Sequence, residues 1–233
     1  MRLCLLDDAL DFPNVSTALD EPNGLLAVGG DLSVPRLLSA YSRGVFPWYN
    51  EGEPILWWSP TPRNILIPTE FHLSKSSRKQ LRKSGWSFSI NTCFSEVIHA
   101  CASLREEGTW ISPDMMAAYC ELHAQGHAHA IEIWSDDELV GGLYGVKIGR
   151  VFFGESMFSC ESNGSKAALL VLSQHCINEG VALIDCQVES EHLTTLGTRL
   201  MDRSAFTERI KELACHDQAR AWYAEPTPLA TQL

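Results

Sequence analysis

The sequence predicts a mixed α/β protein of the α+β kind, with a mixed, largely antiparallel sheet preceded by a small N-terminal domain. Three observations lead there. From residue 63 onward, apolar strand-like runs alternate with runs of helical period. The turn Lys147-Ile148-Gly149-Arg150 joins two long strand patterns, which makes them antiparallel neighbours. Residues 1–62 read differently, punctuated by Glu21-Pro22-Asn23-Gly24, Gly29-Gly30-Asp31, Gly44, Phe46-Pro47-Trp48 and Ser59-Pro60-Thr61-Pro62. The division is therefore set at residue 62, giving units 1–62 and 63–233.

The first unit contains one well-marked helix, with Ser33 as its cap, Pro35 in its first turn and Gly44 beyond its end. After it, strands are expected at 63–67, 86–90, 128–134, 139–148, 151–158 and 182–188. Helices are expected at 74–84, 94–104, 113–125, 163–179, 190–197 and 204–214. The tail from Ala224 to Leu233, with two prolines and small polar residues, is expected to be loose.

Composition narrows the function classes. With 233 residues, 45% hydrophobic, and a mean hydropathy of -0.06, the chain has the makings of a sizeable core. No apolar run approaches the roughly 18 residues of a membrane span, and Met1 to Leu10 lacks the basic and apolar regions of a signal peptide, so the expectation is cytoplasmic. The eight cysteines are scattered without a C-x-x-C pair, which argues for reduced thiols and against zinc. A net charge of -11 argues against a protein that coats nucleic acid nonspecifically, and no DNA partner is expected. Against that background, Lys75, Arg78, Lys79, Arg82 and Lys83 fall on one helical face. That face is either a solvated surface or a phosphate-binding one.

Several motifs carry bland readings. Ala27-Val28-Gly29-Gly30-Asp31 lacks the glycine or lysine of a nucleotide loop and reads as a tight turn; no cofactor is called for. His123, His127 and His129 resemble a metal cluster, but Gly126 breaks the helix between the first two. No metal is expected. Cys186 reads as a core thiol that strand alternation turns away from Asp185 and Gln187. Trp57 and Trp58 read as core, whereas Trp48 and Trp110 lie in loop contexts where a tryptophan can also stack on a base.

Two runs point to a site. In a regular strand over 182–188, Asp185 and Gln187 project together while Ile184, Cys186 and Val188 point the other way. A carboxylate and a carboxamide on an otherwise apolar strand carry a desolvation cost unless partnered. In Val151-Phe152-Phe153-Gly154-Glu155-Ser156-Met157-Phe158, the Glu155 carboxylate is expected within a pocket or at its mouth, sharing its face with Met157 if the strand is regular. A bulge at Gly154 would change which of Phe152 and Phe153 joins them. An acid beside Met and Phe suits a ligand with a cationic amine and an apolar side chain.

Together with these runs, Pro22-Asn23-Gly24-Leu25-Leu26, Gly29-Gly30-Asp31-Leu32, Gly44-Val45-Phe46-Pro47-Trp48, Trp57-Trp58-Ser59-Pro60, Glu107-Gly108-Thr109-Trp110-Ile111, Gly126-His127-Ala128-His129 and Gly141-Gly142-Leu143-Tyr144-Gly145 form an ordered set. From about residue 12 to 215 the chain resembles the bacterial leucyl/phenylalanyl-tRNA-protein transferases. That resemblance implies a GNAT-like acyltransferase domain after the N-terminal one. The activity it implies is transfer of Leu or Phe, and less efficiently Met, from aminoacyl-tRNA to proteins with N-terminal Arg or Lys, marking them for N-end rule degradation. It also implies that Gln187 accepts a hydrogen bond from the incoming amine, with Asp185 orienting it, acting as a direct base, or recognising the cationic acceptor residue. Glu155 would contact the α-amino group of the transferred amino acid. Phe152, Met157, Leu143, Leu169 and Leu172 would line its side-chain pocket, and Trp48 and Trp110 would pack around the terminal adenosine. Ser190, just after the catalytic strand, stands where the family has Asn; Leu143 and Leu172 stand where it has Met and Phe. The Lys75 to Lys83 face would hold the tRNA backbone. Two other classes stay in view: an acetyl-CoA-dependent acetyltransferase, although Ser162-Asn163-Gly164-Ser165 stands where its pyrophosphate loop belongs, and a noncatalytic tRNA-binding module.

Overall fold

The computed structural model describes residues 3–104, 109–214 and 222–233; Glu107, Gly108 and Cys215 lie outside them. In chain order the elements are β1 (Cys4–Leu6), β2 (Leu25–Gly29), α1 (Val34–Tyr41), β3 (Phe46–Pro47), β4 (Leu56–Trp58), β5 (Arg63–Leu66), α2 (Lys75–Leu81), β6 (Ser87–Ile90), α3 (Phe94–Ser103) and α4 (Pro113–Ala124). They continue with β7 (Ala128–Ser135), β8 (Glu138–Ile148), β9 (Val151–Ser159), α5 (Gly164–Asn178), β10 (Leu183–Asp185), α6 (Glu191–Thr194), β11 (Arg199–Met201), α7 (Arg203–Leu213) and β12 (Ala224–Pro228).

Two sheets form among the described residues. The first has the order β1-β2-β4-β3, and the second, eight-stranded, β11-β5-β10-β9-β8-β7-β6-β12. The larger sheet is the expected mixed, largely antiparallel one: β9 and β10 run parallel and the other neighbours are antiparallel. The β8–β9 hairpin closes at Gly149, with φ +56, where a Cβ would stand 2.3 Å from the Leu213 carbonyl oxygen.

Each face of the large sheet has its own core. Phe153, Leu183 and Ile65 join Leu37, Tyr41, Trp57, Tyr119 and Phe206, so the N-terminal sheet and α1 share one apolar cluster with α3, α4 and α7. Phe152, Ile184 and Leu66 join Leu169, Leu172 and Trp222 on the opposite face. Alternation along β9 and β10 sends neighbouring side chains to these two clusters.

Three expectations change. The strand at 182–188 ends at Asp185, because Gln187 adopts a left-handed backbone with φ +61. The tail is not loose: β12 pairs antiparallel with β6, and Leu229 is wholly buried. Burial of Trp222 before the strand and Leu229 after it, rather than composition, decides that segment, and proline is tolerated on an edge strand. Ser33 stands at the α1 cap position without a side-chain capping bond; its own N–H donates to Asp31 Oδ1 at 2.8 Å. The short strands β1 to β4 were not foreseen, since two to five residues leave little periodicity to read.

Candidate active site

A cavity of about 310 Å³ opens where β9 and β10 part. The two strands are in register only as far as Phe153 and Asp185. Beyond that point β10 stops, and β9 carries a register shift against β8, with Tyr144 opposite Ser156 and Gly145 opposite Gly154. Glu155 is the extra residue of this bulge. One inserted residue changes the parity of the strand. Phe152 and Met157, five positions apart, therefore line the same cavity, and Phe153 goes to the opposite core. Gly145 makes room for this: a Cβ there would stand 2.2 Å from the Phe153 carbonyl oxygen and 2.6 Å from the Phe152 ring.

Asp185 does not project with Gln187 as a regular strand requires. Its wholly buried carboxylate accepts from Arg63, Nε to Oδ1 at 2.8 Å and Nη2 to Oδ2 at 2.6 Å. The guanidinium lies 4.7 Å from the ring centroids of both Phe46 and Phe206. Asp185 Oδ1 also accepts from the Gln187 backbone N–H at 2.9 Å, a local turn that holds Gln187 in its left-handed conformation. Asn64 secures the same loop: its carbonyl accepts from Cys186 N–H at 2.9 Å and its N–H donates to the Gln187 carbonyl at 3.0 Å. Gln187 thereby turns into the cavity while Asp185 stays behind it.

The Gln187 side chain meets Glu155, with Nε2 donating to Oε1 at 2.8 Å. Tyr41 from α1 donates to the same oxygen at 2.7 Å, and Tyr119 from α4 donates to Oε2 at 2.9 Å. The two phenol oxygens also lie in contact, and since each carries one proton they hydrogen-bond to each other only when one of them is released from donating to Glu155. Burial pushes the Glu155 carboxyl up to about 7, opposed by the two tyrosine hydrogen bonds and Arg63 and reinforced by Asp185. Burial, with Glu155 beside them, holds both phenols well above their usual range. This carboxyl therefore changes charge near neutrality.

The cavity gathers Glu155, Met157, Phe152, Leu143, Leu169, Leu172, Trp48, Trp110, Ser190 and Gln187. Leu169 and Leu172 come from α5, Leu143 from β8, and the half-exposed Trp48 from the N-terminal unit. Ser190 also caps α6, accepting from Leu193 N–H at 3.2 Å. Cys186 is turned from Asp185 as expected but, contrary to expectation, lines the cavity with Gln187, because the strand has already ended. Burial, with the Asp185 carboxylate beside it, pushes its thiol far up, so it stands protonated.

Arg63, Tyr41 and Tyr119 went unforeseen. Buried helical spacing, Leu37 with Tyr41 and Met115 with Tyr119, marks both tyrosines as core, and a buried hydroxyl needs a partner. The sequence does not say which. The basic residues lie apart from the cavity: Lys75, Lys79, Arg82 and Lys83 are exposed on and after α2, and Arg78 is partly covered. Arg78 and Arg82 donate to the Leu233 backbone oxygen at 3.4 and 2.7 Å. The histidines diverge. His123 stacks on Phe94 at 4.3 Å, and His129 stacks on Trp222 at 4.5 Å. Among the described residues no group of three or more His, Cys, Asp and Glu side chains is placed to hold a metal ion, and no helix is long and apolar enough to cross a membrane.

Comparison with known proteins places the chain in a family. Residues 65–211 match the family model described as leucyl/phenylalanyl-tRNA protein transferase, and residues 30–61 match that of its N-terminal domain. The leucyl/phenylalanyl-tRNA--protein transferase of Yersinia enterocolitica is 52% identical over 214 residues, 91% of each chain. That of Yersinia pestis strain Pestoides F is 54% identical over 202 residues, 87% of this chain and 86% of the relative. Among solved structures, L-PGS from Bacillus licheniformis aligns with a TM-score of 0.38 at 12% identity, over 71% of this chain and 54% of that one. A GCN5-related N-acetyltransferase from Kribbella flavida aligns at 0.35 and 9%, over 70% and 59%. Likeness of that degree carries no weight for fold or function, whereas half-identity sustained over nine-tenths of the chain does: the chain belongs to the leucyl/phenylalanyl-tRNA-protein transferase family.

Proposed function

We propose that this protein moves Leu or Phe, and less efficiently Met, from aminoacyl-tRNA to the N-terminal Arg or Lys of acceptor proteins in the cytoplasm, marking them for N-end rule degradation. Residues 1–62 act as an N-terminal unit and 63–233 as a GNAT-like acyltransferase unit. The observation that carries the proposal is an apolar cavity ending at the hydrogen-bonded pair Glu155 and Gln187, with the Asp185–Arg63 pair buried behind it.

An aminoacyl ester is already activated, so aminolysis needs placement and proton handling more than a covalent intermediate. The acceptor α-amine nitrogen bonds to the ester carbonyl carbon, the bond from that carbon to the ribose oxygen breaks, and a proton passes from the amine to the departing ribose oxygen. Gln187 spends its Nε2 on Glu155, which leaves its carboxamide oxygen to accept from the amine. Asp185 has both oxygens committed to Arg63 and to Gln187 N–H, so of its possible roles orientation of Gln187 is the best supported. Ionised Glu155 receives the α-amino group of the transferred residue. Leu143, Phe152, Met157, Leu169 and Leu172 hold its side chain, Trp48 and Trp110 flank the terminal adenosine with Ser190 nearby, and the Lys75, Arg78, Lys79, Arg82 and Lys83 face takes the tRNA backbone.

The test is transfer of labelled Leu from Leu-tRNA to a peptide starting with Arg, beside the same peptide starting with Ala and a Val-tRNA donor. Transfer confined to the Arg peptide and the Leu donor is expected. Acetylation of the peptide from acetyl-CoA, or tRNA binding without transfer, would overturn it.

A further inference from the structure

We infer that Trp222 is a positioning residue for the donor pocket: its indole fixes the Phe152 wall against which the transferred side chain is measured. The inference rests on reading the cavity as the site of that side chain.

Trp222 itself lies outside the cavity. It is 3% exposed and stacks almost parallel to Phe152, with ring centroids 5.7 Å apart and planes 10° apart. Phe152 is wholly buried and presents its ring to the cavity. That ring abuts Gly145, close enough that a Cβ there would stand 2.6 and 2.7 Å from two of its carbons. The Trp222 indole adds a second support. A phenylalanine ring in contact with both a strand backbone and an indole has few rotamers open to it, so the wall is rigid.

Trp222 is in turn held tightly. Its ring stacks on His129 at 4.5 Å and meets His175 edge-on at 4.5 Å. Its carbonyl accepts from Asn91 Nδ2 at 2.7 Å. Asn91 has its amide orientation set by the Ala130 N–H, which donates to Oδ1 at 2.8 Å, so Nδ2 is the group facing both Trp222 and His129 Nδ1. Beyond Trp222, β12 pairs with β6 and Leu229 is wholly buried, which anchors the segment from its other end. Indole stacking, rather than a hydrogen bond, sets the ring's place, since its N–H has no partner among the described residues.

A soft wall would admit longer side chains and lose grip on shorter ones, whereas the chemistry at Gln187 lies at the other end of the bound residue. Trp222 therefore acts on donor selectivity. Transfer of Leu, Phe and Met from their charged tRNAs is measured at saturating Arg peptide for the wild type, Trp222→Phe, Trp222→Leu and Trp222→Met, with melting temperature as the control for folding. Trp222→Phe keeps a stacked ring and is expected to keep the Phe-to-Leu ratio of kcat/KM within twofold. Trp222→Leu and Trp222→Met remove the stack and are expected to change that ratio at least fivefold, through donor KM, with the peptide KM unchanged. Phe152→Leu serves as the reference within the cavity. A shifted ratio in Phe152→Leu with an unchanged ratio in the folded Trp222→Leu or Trp222→Met protein would overturn the role of Trp222. Unchanged ratios in all of them would overturn the donor-pocket reading itself.

Discussion

Replacing Asp185 by alanine tests how the structure holds Gln187. The substitution leaves the Arg63 guanidinium, 1% exposed between Phe46 and Phe206, without its counter-charge, and leaves Gln187 N–H without its acceptor. Breaking a buried pair by removing one partner costs about 3–5 kcal/mol, because an uncompensated charge stays behind. Taking about 4 kcal/mol, and a shift of about 2–4 °C per kcal/mol for chains of this size, the melting temperature falls by about 8–16 °C. Asp185→Asn keeps the shape and one acceptor oxygen and is expected to lose roughly half as much. Calorimetry measures the first effect; single-turnover Leu transfer, run well below each variant's melting temperature, measures the second. Transfer is expected to fall at least about 100-fold in Asp185→Ala, a loss of about 2.7 kcal/mol of transition-state stabilisation. The double variant Arg63→Met, Asp185→Leu replaces charge with apolar volume and is expected to recover much of the stability but none of the transfer. A melting temperature within 2 °C of wild type would refute the energetic reasoning. A destabilised Asp185→Ala protein that transfers at the wild-type rate would refute the positioning of Gln187.

Four more outcomes are expected. Because the Glu155 carboxyl is raised to about 7, donor kcat/KM should fall as pH drops through that value, and Glu155→Gln should abolish this limb. The sign for stability is opposite: the folded state holds the Glu155 proton between the ordinary carboxylate range and about 7, so stability declines as pH rises through that window, and thermal melts of Glu155→Gln should lack this contribution. Tyr119→Phe removes the donor to Oε2, costing about 1–3 kcal/mol and moving the pH limb upward, which a pH–rate profile reads directly. Reversing charge at Arg78 and Arg82 should weaken tRNA binding and flatten the log-log salt dependence by about 0.7–0.9 per lost phosphate contact, as measured by filter binding across salt concentrations; unchanged affinity would make that face a solvated one.

Much of this molecule is legible without coordinates. Apolar period and turn chemistry give the long strands, the β8–β9 hairpin and the helices of the larger unit, because those signals are local. Residue type marks Glu155 and Gln187 as costly in apolar strands, and the ordered motifs identify the family. Tertiary structure alone decides what each polar group faces. Asp185 and Gln187 share no strand face, since a left-handed residue ends β10, and what binds Asp185 is an arginine 122 positions away. Phe152 and Met157 share a wall only through a one-residue bulge, and parity cannot be read until the strand's partner is known. Tyr41 and Tyr119 meet Glu155 from two helices distant in sequence, and a tail rich in proline and small polar residues becomes an edge strand because Trp222 and Leu229 find apolar partners. Local interactions choose elements from adjacent residues; burial and counter-charge are properties of neighbours that only folding supplies.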